Sequence, residues 1–463
     1  MKYRSTRGQV NGISFSEAVM MGLADDGGLL VPESIPVLSA DELSQMANLS
    51  YPQLALNIIS RYIDDIPQAD LQELITHSYA SFKHPDVTPV IAKGDIHILE
   101  LFHGPTLAFK DVALQLLGNL FEYLLAKSGE HLNIIGATSG DTGSAAIYGV
   151  RGKQRINIFI LYPKGKVSPI QEMQMTTISD ANVFNIAVEG TFDDAQAIVK
   201  EIFGDLNYKK RHALGVVNSI NCARLLAQVV YYFYACFQVQ KATGAKKVEF
   251  SVPTGNFGNI FAGYIARKMG LPIKKLILAT NSNNILSRFV TAGDYSVAEV
   301  HHSLSPSMDI QIASNFERYL FHLYDEDANR LNAAMETFKL NGVLPVSSEE
   351  LTRTQQIFAA ASVNDAETLA AIGSFADKTG YILDPHTAIG VEAGQRVRSG
   401  DCPLICLATA HPAKFGETVK KATGLDPALP PAFQGIDKLE KKLVTLPAEI
   451  EAIKQYVDRH ALT

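Results

Sequence analysis

A lysine at the start of a predicted helix is the residue of this sequence best suited to covalent chemistry. Lys110 closes an apolar segment, residues 103–110, that follows a predicted strand and precedes a helical pattern running from about Val112 to Lys127. Burial and the positive end of a helix dipole both favour the neutral form of an amine. A neutral amine is a nucleophile that can form a Schiff base. The position therefore predicts a reactive lysine, the alternative being an ordinary solvated surface lysine.

Two loops rich in glycine, serine and threonine could bind anions. They cover residues 135–145 and 251–259, and each lies between an apolar run and a helical pattern. Glycine lets the backbone approach a ligand closely, and the first turn of the following helix offers free N–H groups. Neither loop contains a Walker A or a GxGxxG pattern. Alone, each loop could be an ordinary turn. Together they predict two anionic groups, such as a cofactor phosphate and a substrate carboxylate or phosphate.

Polar side chains at two other places could complete such a site. Thr409 and His411 follow a buried strand, near the end at which open parallel sheets bind ligands. Asn218 and Ser219 precede Arg224, which opens an apolar helix and is well suited to phosphate. In both cases the alternative is structural, namely a turn satisfied by its own backbone or an arginine on a helix surface.

Further candidates carry less chemistry. Asp384 and Thr387 either line a cleft or cap the next helix. The pair His301 and His302 lacks a third ligand at metal spacing, and no GxSxG motif is present. The sequence therefore predicts no metal site.

The elements that must position these residues alternate between strand and helix from Ile96 onward. Several of the strands are apolar without alternation, as in strands that helices cover on both faces. This order predicts an α/β fold with parallel sheets. The candidate strands are Ile96–Leu101, Leu132–Ala137, Ile156–Tyr162, Val183–Val188, Val248–Val252, Lys275–Ala279, Tyr381–Leu383 and Leu404–Ala408.

Three regions follow from this pattern. Residues 1–90 show no strand–helix alternation and predict a small N-terminal domain. Residues 91–420 contain the candidate residues named above and predict a catalytic region with two α/β subdomains. An insertion is expected around 281–376, polar as far as 314 and mainly helical from 317. Residues 421–463 predict a C-terminal helical tail, with its helix over Leu439 to His460.

Composition excludes several classes of protein. The 463 residues carry 41 Lys and Arg against 48 Asp and Glu, a net charge of −7, so no basic surplus points to nucleic acid or an anionic membrane. The longest apolar stretch, Leu225 to Phe237, is shorter than the roughly 20 residues that a membrane span needs. The first fifteen residues lack the apolar core of a secretory signal. With four cysteines and no CxxC pair, the sequence predicts a soluble cytoplasmic protein.

Four segments, taken together and in order, resemble the threonine synthase family. They are residues 105–111, 138–144, 255–259 and 409–415. The N-terminal residues 3–8 and the turn at 26–29 are also similar to that family. The resemblance extends from near residue 1 to about residue 420. It implies a pyridoxal-phosphate enzyme of fold type II, the fold of the tryptophan synthase β-subunit.

The resemblance also implies a role for individual residues. Lys110 would hold the cofactor as a Schiff base, Thr409 would face the pyridine nitrogen, and Asp141 would lie near the ring. Residues that would cradle the cofactor phosphate are Gly255, Asn256, Phe257, Gly258 and Asn259. Residues that would receive the anions of the substrate are Thr138, Ser139 and Thr142, together with Asn218, Ser219 and Arg224 for its phosphate.

The implied reaction converts O-phospho-L-homoserine and water to L-threonine and phosphate, by γ-elimination followed by addition of water at Cβ. A hydroxyl at Thr409, in place of a carboxylate, would leave the pyridine nitrogen largely unprotonated and favour elimination and replacement over transamination. The nearest alternative is a dehydratase or phospho-lyase that stops at 2-oxobutyrate. More distant alternatives are a catalytically idle relative and a nucleotide-binding protein. Independently of the resemblance, we expect a monomer or homodimer.

Overall fold

The computed structural model describes residues 1–463 and contains thirteen strands and nineteen α-helices. The strands are β1 Tyr3–Ser5, β2 Leu30–Pro32, β3 Val90–Lys93, β4 Ile96–Glu100, β5 Leu132–Ala137, β6 Ile156–Pro163, β7 Val183–Glu189, β8 Leu214–Gly215, β9 Val248–Pro253, β10 Ile273–Thr280, β11 Phe358–Ser362, β12 Leu404–Ala408 and β13 Val444–Pro447. The helices are α1 Phe15–Met21, α2 Ala40–Met46, α3 Tyr51–Ile59, α4 Gln68–Ala80, α5 Lys110–Ser128, α6 Asp141–Val150, α7 Pro169–Thr176, α8 Phe192–Gly204, α9 Leu206–Arg211, α10 Cys222–Thr243, α11 Gly258–Lys268, α12 Ile285–Ala292, α13 Phe316–Leu323, α14 Ala328–Asn341, α15 Ser348–Ile357, α16 Asp365–Thr379, α17 Pro385–Val397, α18 Gly416–Thr423 and α19 Ile450–His460. None of these helices has the length and apolar character needed to cross a bilayer.

Two separate sheets, both mainly parallel, form the body of the molecule. The larger has the strand order β11-β10-β9-β12-β4-β3, in which only β3 runs antiparallel to its neighbour. The smaller has the order β13-β7-β6-β5-β8 and is parallel throughout. The parallel α/β fold class predicted from the sequence is confirmed.

Both sheets bury apolar side chains on both faces. Successive residues of a strand point to opposite faces, and here they enter different apolar clusters. Ile405 and Ile134 join one central cluster together with α10, Cys406 joins an outer cluster with α16 and α17, and Ile135 joins another with α8 and α19. The main core therefore lies between the two sheets, which explains why their strands show no polar alternation.

The N-terminal region has a different construction. It contains the antiparallel pair β1–β2, with Tyr3 opposite Pro32, followed by short helices. Ser14 and Ser39 each form a capping box at the start of α1 and α2. These boxes satisfy N–H groups that short helices would otherwise leave free. The three-region division at residues 90 and 420 stays a prediction.

Three local predictions differ from the structure. Residues 381–383 are not a strand, because they connect the left-handed C-cap at Gly380 directly to the N-cap at Asp384. Phe358–Ser362, within a region expected to be mainly helical, is strand β11 and pairs with β10. In the tail, the helix expected over Leu439 to His460 covers only α19, Ile450–His460, and the residues before it include strand β13, which pairs with β7. Strands β11 and β13 form because each pairs with the free edge of a neighbouring strand, a tertiary contact that overrides local preference.

Candidate active site

Lys110 is the first residue of α5 and is held against the segment that follows β12. The Phe109 N–H donates to the Thr409 carbonyl at 2.8 Å, and the His411 N–H donates to the Leu107 carbonyl at 3.0 Å. Because β4, β12 and β9 are adjacent, the segments after their carboxyl ends meet along one edge of the larger sheet. The structure therefore brings together Lys110, Thr409 and the loop that begins at Gly255.

Two lysines share one buried carboxylate at this edge. The Asp141 Oδ2 atom lies 3.8 Å from Lys110 Nζ, and the Asp141 Oδ1 atom lies 2.7 Å from Lys414 Nζ. Gln171 Nε2 also donates to Oδ1 at 2.8 Å. Burial alone would raise the pKa of Asp141, but the charges of Lys414 and Lys110 hold that pKa well below its usual range. Asp141 is therefore ionised at neutral pH.

Burial lowers the pKa of Lys110 from 10.5 to about 8. The carboxylate of Asp141 opposes this decrease, whereas the charges of Lys414 and Arg224 add to it. The Lys110 side chain is 12% exposed, so the amine can be reached from the site. A substantial fraction of this amine is neutral near pH 8, which is what a nucleophile requires.

The shifted pKa predicts how cofactor capture depends on pH. Only the neutral amine attacks an aldehyde, and its fraction rises with pH until the pKa of Lys110 is passed. For the cofactor-free protein we expect the rate of pyridoxal phosphate binding to rise about tenfold per pH unit below pH 8 and to level off above it. Stopped-flow absorbance measures this rate. A profile that levels off only near pH 10.5 would mean that Lys110 has an unshifted pKa.

The loop after β9 offers a group of free backbone donors. Helix α11 begins at Gly258, and its first intrahelical bond runs from the Phe261 N–H to the Phe257 carbonyl. The N–H groups of Gly258 and Asn259 therefore point out of the helix, where an anion can bind. Phe257 itself adopts φ 63° and buries its ring among aromatic side chains, so it shapes the loop and does not offer its side chain to a ligand.

Gly255 has no room for a side chain. A Cβ atom there would lie 2.5 Å from the Ser307 carbonyl oxygen, which belongs to the backbone and cannot move aside easily. We expect Gly255→Ala to displace this loop and weaken cofactor binding by about 10- to 100-fold. Equilibrium dialysis with absorbance detection measures the dissociation constant. The control is Gly204→Ala, whose added Cβ meets nothing within 4 Å; equal affinities for the two variants would argue against a cradle at Gly255.

In the loop after β5, the Thr138 hydroxyl stabilises the loop conformation, whereas the hydroxyls of Ser139 and Thr142 have no such role. The Thr138 side chain accepts hydrogen bonds from the N–H groups of Gly140 and Gly143 at 3.0 and 2.9 Å. Ser139 is exposed and Thr142 is half-buried at the start of α6. Of the three residues predicted in this loop, Ser139 and Thr142 have side chains that can face a ligand, because the Thr138 hydroxyl is already used within the loop.

Arg224 is the most unusual cation of the site. It lies in the first turn of α10 and is 3% exposed, and its Nε and Nη1 atoms have no hydrogen-bond partner. Burial lowers the pKa of Arg224 to about 10. A buried guanidinium without a partner is strongly unfavourable, so a site that keeps one must gain from it when an anion binds.

Asn315 connects Ser219 to the loop after β9. Its side-chain amide donates to the carbonyl oxygens of Ser219 and Asn256 at 3.2 and 3.1 Å. Ser314 adds a hydroxyl contact to Ser219 at 3.4 Å and donates to the Asn256 side chain at 3.0 Å. Asn218 is half-buried in the same stretch. The predicted substrate segment and the predicted cofactor segment are therefore neighbours.

Three functional neighbours were not predicted as site residues. Asn315 lies just after the polar stretch that ends at residue 314, and nothing in the sequence there distinguishes it. Gln171 likewise has no distinguishing sequence context. Lys414 could have been found, because it stands beside Ala413 and Phe415 just after a buried strand, a poor place for a solvated lysine. The Asp384 cap considered from the sequence is confirmed, since its carboxylate accepts from the His386 and Thr387 N–H groups.

The residues present fit pyridoxal phosphate. A neutral lysine amine suits its aldehyde, and the free N–H groups of α11 suit its phosphate. The buried Asn259 Nδ2 atom has no partner, while its Oδ1 atom accepts from Tyr231 at 2.6 Å and Tyr232 at 2.9 Å. That arrangement fixes the amide and leaves its Nδ2 donor, in the first turn of α11, without a partner in the protein. The site can therefore hold a phosphorylated aldehyde beside a second anion at Arg224.

A family model described as pyridoxal-phosphate dependent enzyme matches residues 88–339, which include both glycine-rich loops and Lys110. Fold and site thus define a pyridoxal-phosphate-dependent enzyme of fold type II. Two other models, described as threonine synthase N terminus and threonine synthase, C-terminal, match residues 2–79 and 387–457.

Similarity extends over the whole chain. A threonine synthase of Pseudomonas aeruginosa is 46% identical, over 99% of this chain and 98% of its own. One of Schizosaccharomyces pombe is 46% identical, over 91% and 89%. A solved structure of PLP-bound threonine synthase from Brucella melitensis superposes with a TM-score of 0.97 at 44% identity, covering 100% of both chains. The chain belongs to the threonine synthase family, and the predicted pyridoxal phosphate cofactor is confirmed.

Proposed function

We propose that this protein converts O-phospho-L-homoserine and water to L-threonine and phosphate. The observation that carries the proposal is the unpartnered, buried guanidinium of Arg224 near the Lys110 amine. A substrate with one amine and one phosphate suits this pair. The full-length similarity to threonine synthases supports the same substrate.

Binding comes first in the proposed mechanism. Lys110 and the loop Gly255, Asn256, Phe257, Gly258 and Asn259 would hold the cofactor, with Thr409 and Asp141 beside it. Bound pyridoxal phosphate supplies an electrophilic carbon for the substrate amine and an electron sink for carbanions. Arg224, with Asn218 and Ser219, binds the substrate phosphate. Thr138, Ser139 and Thr142 form the loop that receives the carboxylate at the N-terminus of α6.

Proton transfer is the task of Lys110. With a pKa near 8 its amine can take the proton from Cα of the substrate and then help remove one from Cβ. The Cγ–O bond breaks and phosphate leaves, still held by Arg224. Lys110 returns the two protons to Cγ and Cα while the oxygen of water bonds to Cβ, and the proton that this water loses ends on the released phosphate. Whenever Lys110 is protonated, the negative charge of Asp141 compensates its positive charge.

One assay tests this function. Purified protein with bound cofactor is given O-phospho-L-homoserine, and phosphate and amino-acid products are measured together. Phosphate and threonine in equal amounts are expected. Phosphate with 2-oxobutyrate would replace the proposal with a phospho-lyase. No phosphate release from protein that carries cofactor would exclude both activities on this substrate.

We further propose a cytoplasmic enzyme, monomeric or homodimeric, with no nucleic-acid partner. The net charge of −7 supports the last point, and the four free cysteines fit a reducing compartment. Analytical ultracentrifugation distinguishes monomer and dimer from any larger assembly. A protein retained on nucleic acid at physiological salt would contradict the proposal.

A further inference from the structure

Lys414 is a second lysine at the site, and the proposed reaction assigns it no step. It is 1% exposed and lies in the turn after β12. Its Nζ atom donates to the Thr106 carbonyl at 2.7 Å and pairs with Asp141 Oδ1 at 2.7 Å. Both partners adjoin Lys110, since Thr106 lies in the segment before it and Asp141 faces its amine. A buried ammonium with two short, directed contacts has one fixed position.

The two oxygens of Asp141 are used differently because of Lys414. Hydrogen bonds from Lys414 and Gln171 converge on Oδ1, whereas Oδ2 faces Lys110. The carboxylate therefore cannot rotate freely between the two lysines. Its distance to Lys110, 3.8 Å, is longer than a direct hydrogen bond, so Lys110 is not locked to it.

Two negative and two positive groups act on Lys110 through their charges. The negative groups are Asp141 on α6 and the neighbouring Asp111, and the positive groups are Lys414 after β12 and Arg224 on α10. Both carboxylate oxygens of Asp111 accept hydrogen bonds from Thr106, one from its N–H at 2.8 Å and one from its hydroxyl at 2.6 Å. Lys414 also lies near His411 and Asp111. Without Lys414, Asp141 would be free to form a full ion pair with Lys110 and keep it protonated.

We propose that Lys414 is a positioning residue that holds Asp141 ionised through one oxygen and offsets its attraction for the Lys110 proton. Lys414 thereby lets one buried carboxylate lie beside Lys110 without preventing the amine from acting as nucleophile and base. This inference rests on the proposed role of Lys110. It gives Lys414 a function that the steps proposed above for binding and proton transfer do not include.

The test measures the reactivity of Lys110 in the full-length chain freed of cofactor. Reductive methylation at a series of pH values, followed by mass spectrometry of the Lys110 peptide, gives the midpoint at which the amine becomes neutral. We expect Lys414→Met to move this midpoint upward by about one pH unit or more, because an opposite charge then acts on Lys110 without compensation. In the loaded enzyme the acid limb of the kcat profile is expected to move in the same direction.

Two further variants separate charge from packing. Lys414→Gln keeps a donor for Asp141 but loses the charge, so it should shift the midpoint as Lys414→Met does, and it serves if the methionine variant fails to fold. Lys414→Arg keeps the charge and should leave the midpoint within a few tenths of a unit. An unchanged or lowered midpoint in the glutamine variant would overturn the proposal. Because methylation needs no substrate, a failure of the proposed reaction is seen separately, in the product assay.

Discussion

Lys110→Ala is expected to lower kcat by at least about 10⁴-fold, since one side chain is proposed as the covalent anchor, the nucleophile and the base. The visible absorbance of the lysine-bound cofactor should disappear at the same time. Steady-state phosphate release and an absorbance spectrum of the purified variant measure the two effects. Because Asp141 keeps its closer partner Lys414 when Lys110 is removed, no buried carboxylate is left without an opposite charge and the variant should still fold.

The matched control for this experiment is Lys127→Ala. Lys127 lies in the last turn of the same helix, and its side chain is 54% exposed, so its removal should leave kcat unchanged. A Lys110 variant that keeps more than a few percent of turnover would rule out the assignment of the nucleophile. Loss of turnover in both variants would instead indicate general damage to α5.

Arg224→Met is expected to lower kcat/KM by about 10³-fold, mainly through KM for the phosphorylated substrate, because charge-assisted bonds to a buried phosphate are lost. The same change should raise the free energy of unfolding of the substrate-free protein by about 1 to 2 kcal/mol, since it removes a buried charge with unpartnered Nε and Nη1 atoms. Initial rates and denaturant unfolding measure the two quantities.

The opposite signs of these two effects make the prediction specific. A guanidinium with a purely structural role would lower stability when removed. The control is Arg211→Met, whose side chain is 64% exposed and which should change neither quantity. Arg224→Lys should fall between wild type and the methionine variant, because it keeps the charge but loses the planar pair of donors. Loss of stability together with unchanged KM would contradict a phosphate-binding role.

Much of the fold could be predicted because it depends on local pattern. Continuous apolar runs such as Leu132–Ala137 and Leu404–Ala408 gave strands whose observed bounds are the same. The strands β11 and β13 could not be predicted. The alanine-rich run Phe358–Ser362 and the mixed run Val444–Pro447 become strands because a neighbouring strand leaves an edge free for pairing.

The site divides in a similar way. The sequence alone predicted a reactive lysine and two anion-binding loops, and, through the resemblance of whole motifs, it determined the family and its cofactor. These depend on residue types at short spacing, such as the glycines around Asn256 and the apolar context of Lys110. Local sequence is enough for that prediction because the loop and the first turn of the helix after it supply the anion-binding N–H groups themselves.

Only the tertiary structure decided how the charges are arranged. Lys110, Asp141 and Lys414 come from three segments far apart in sequence and meet because β4 and β12 are adjacent strands and α5 packs closely on α6. The pKa of each group depends on burial and on charges a few ångströms away, which sequence spacing does not contain. The same holds for Arg224, whose missing partners become visible only when every neighbour is in place.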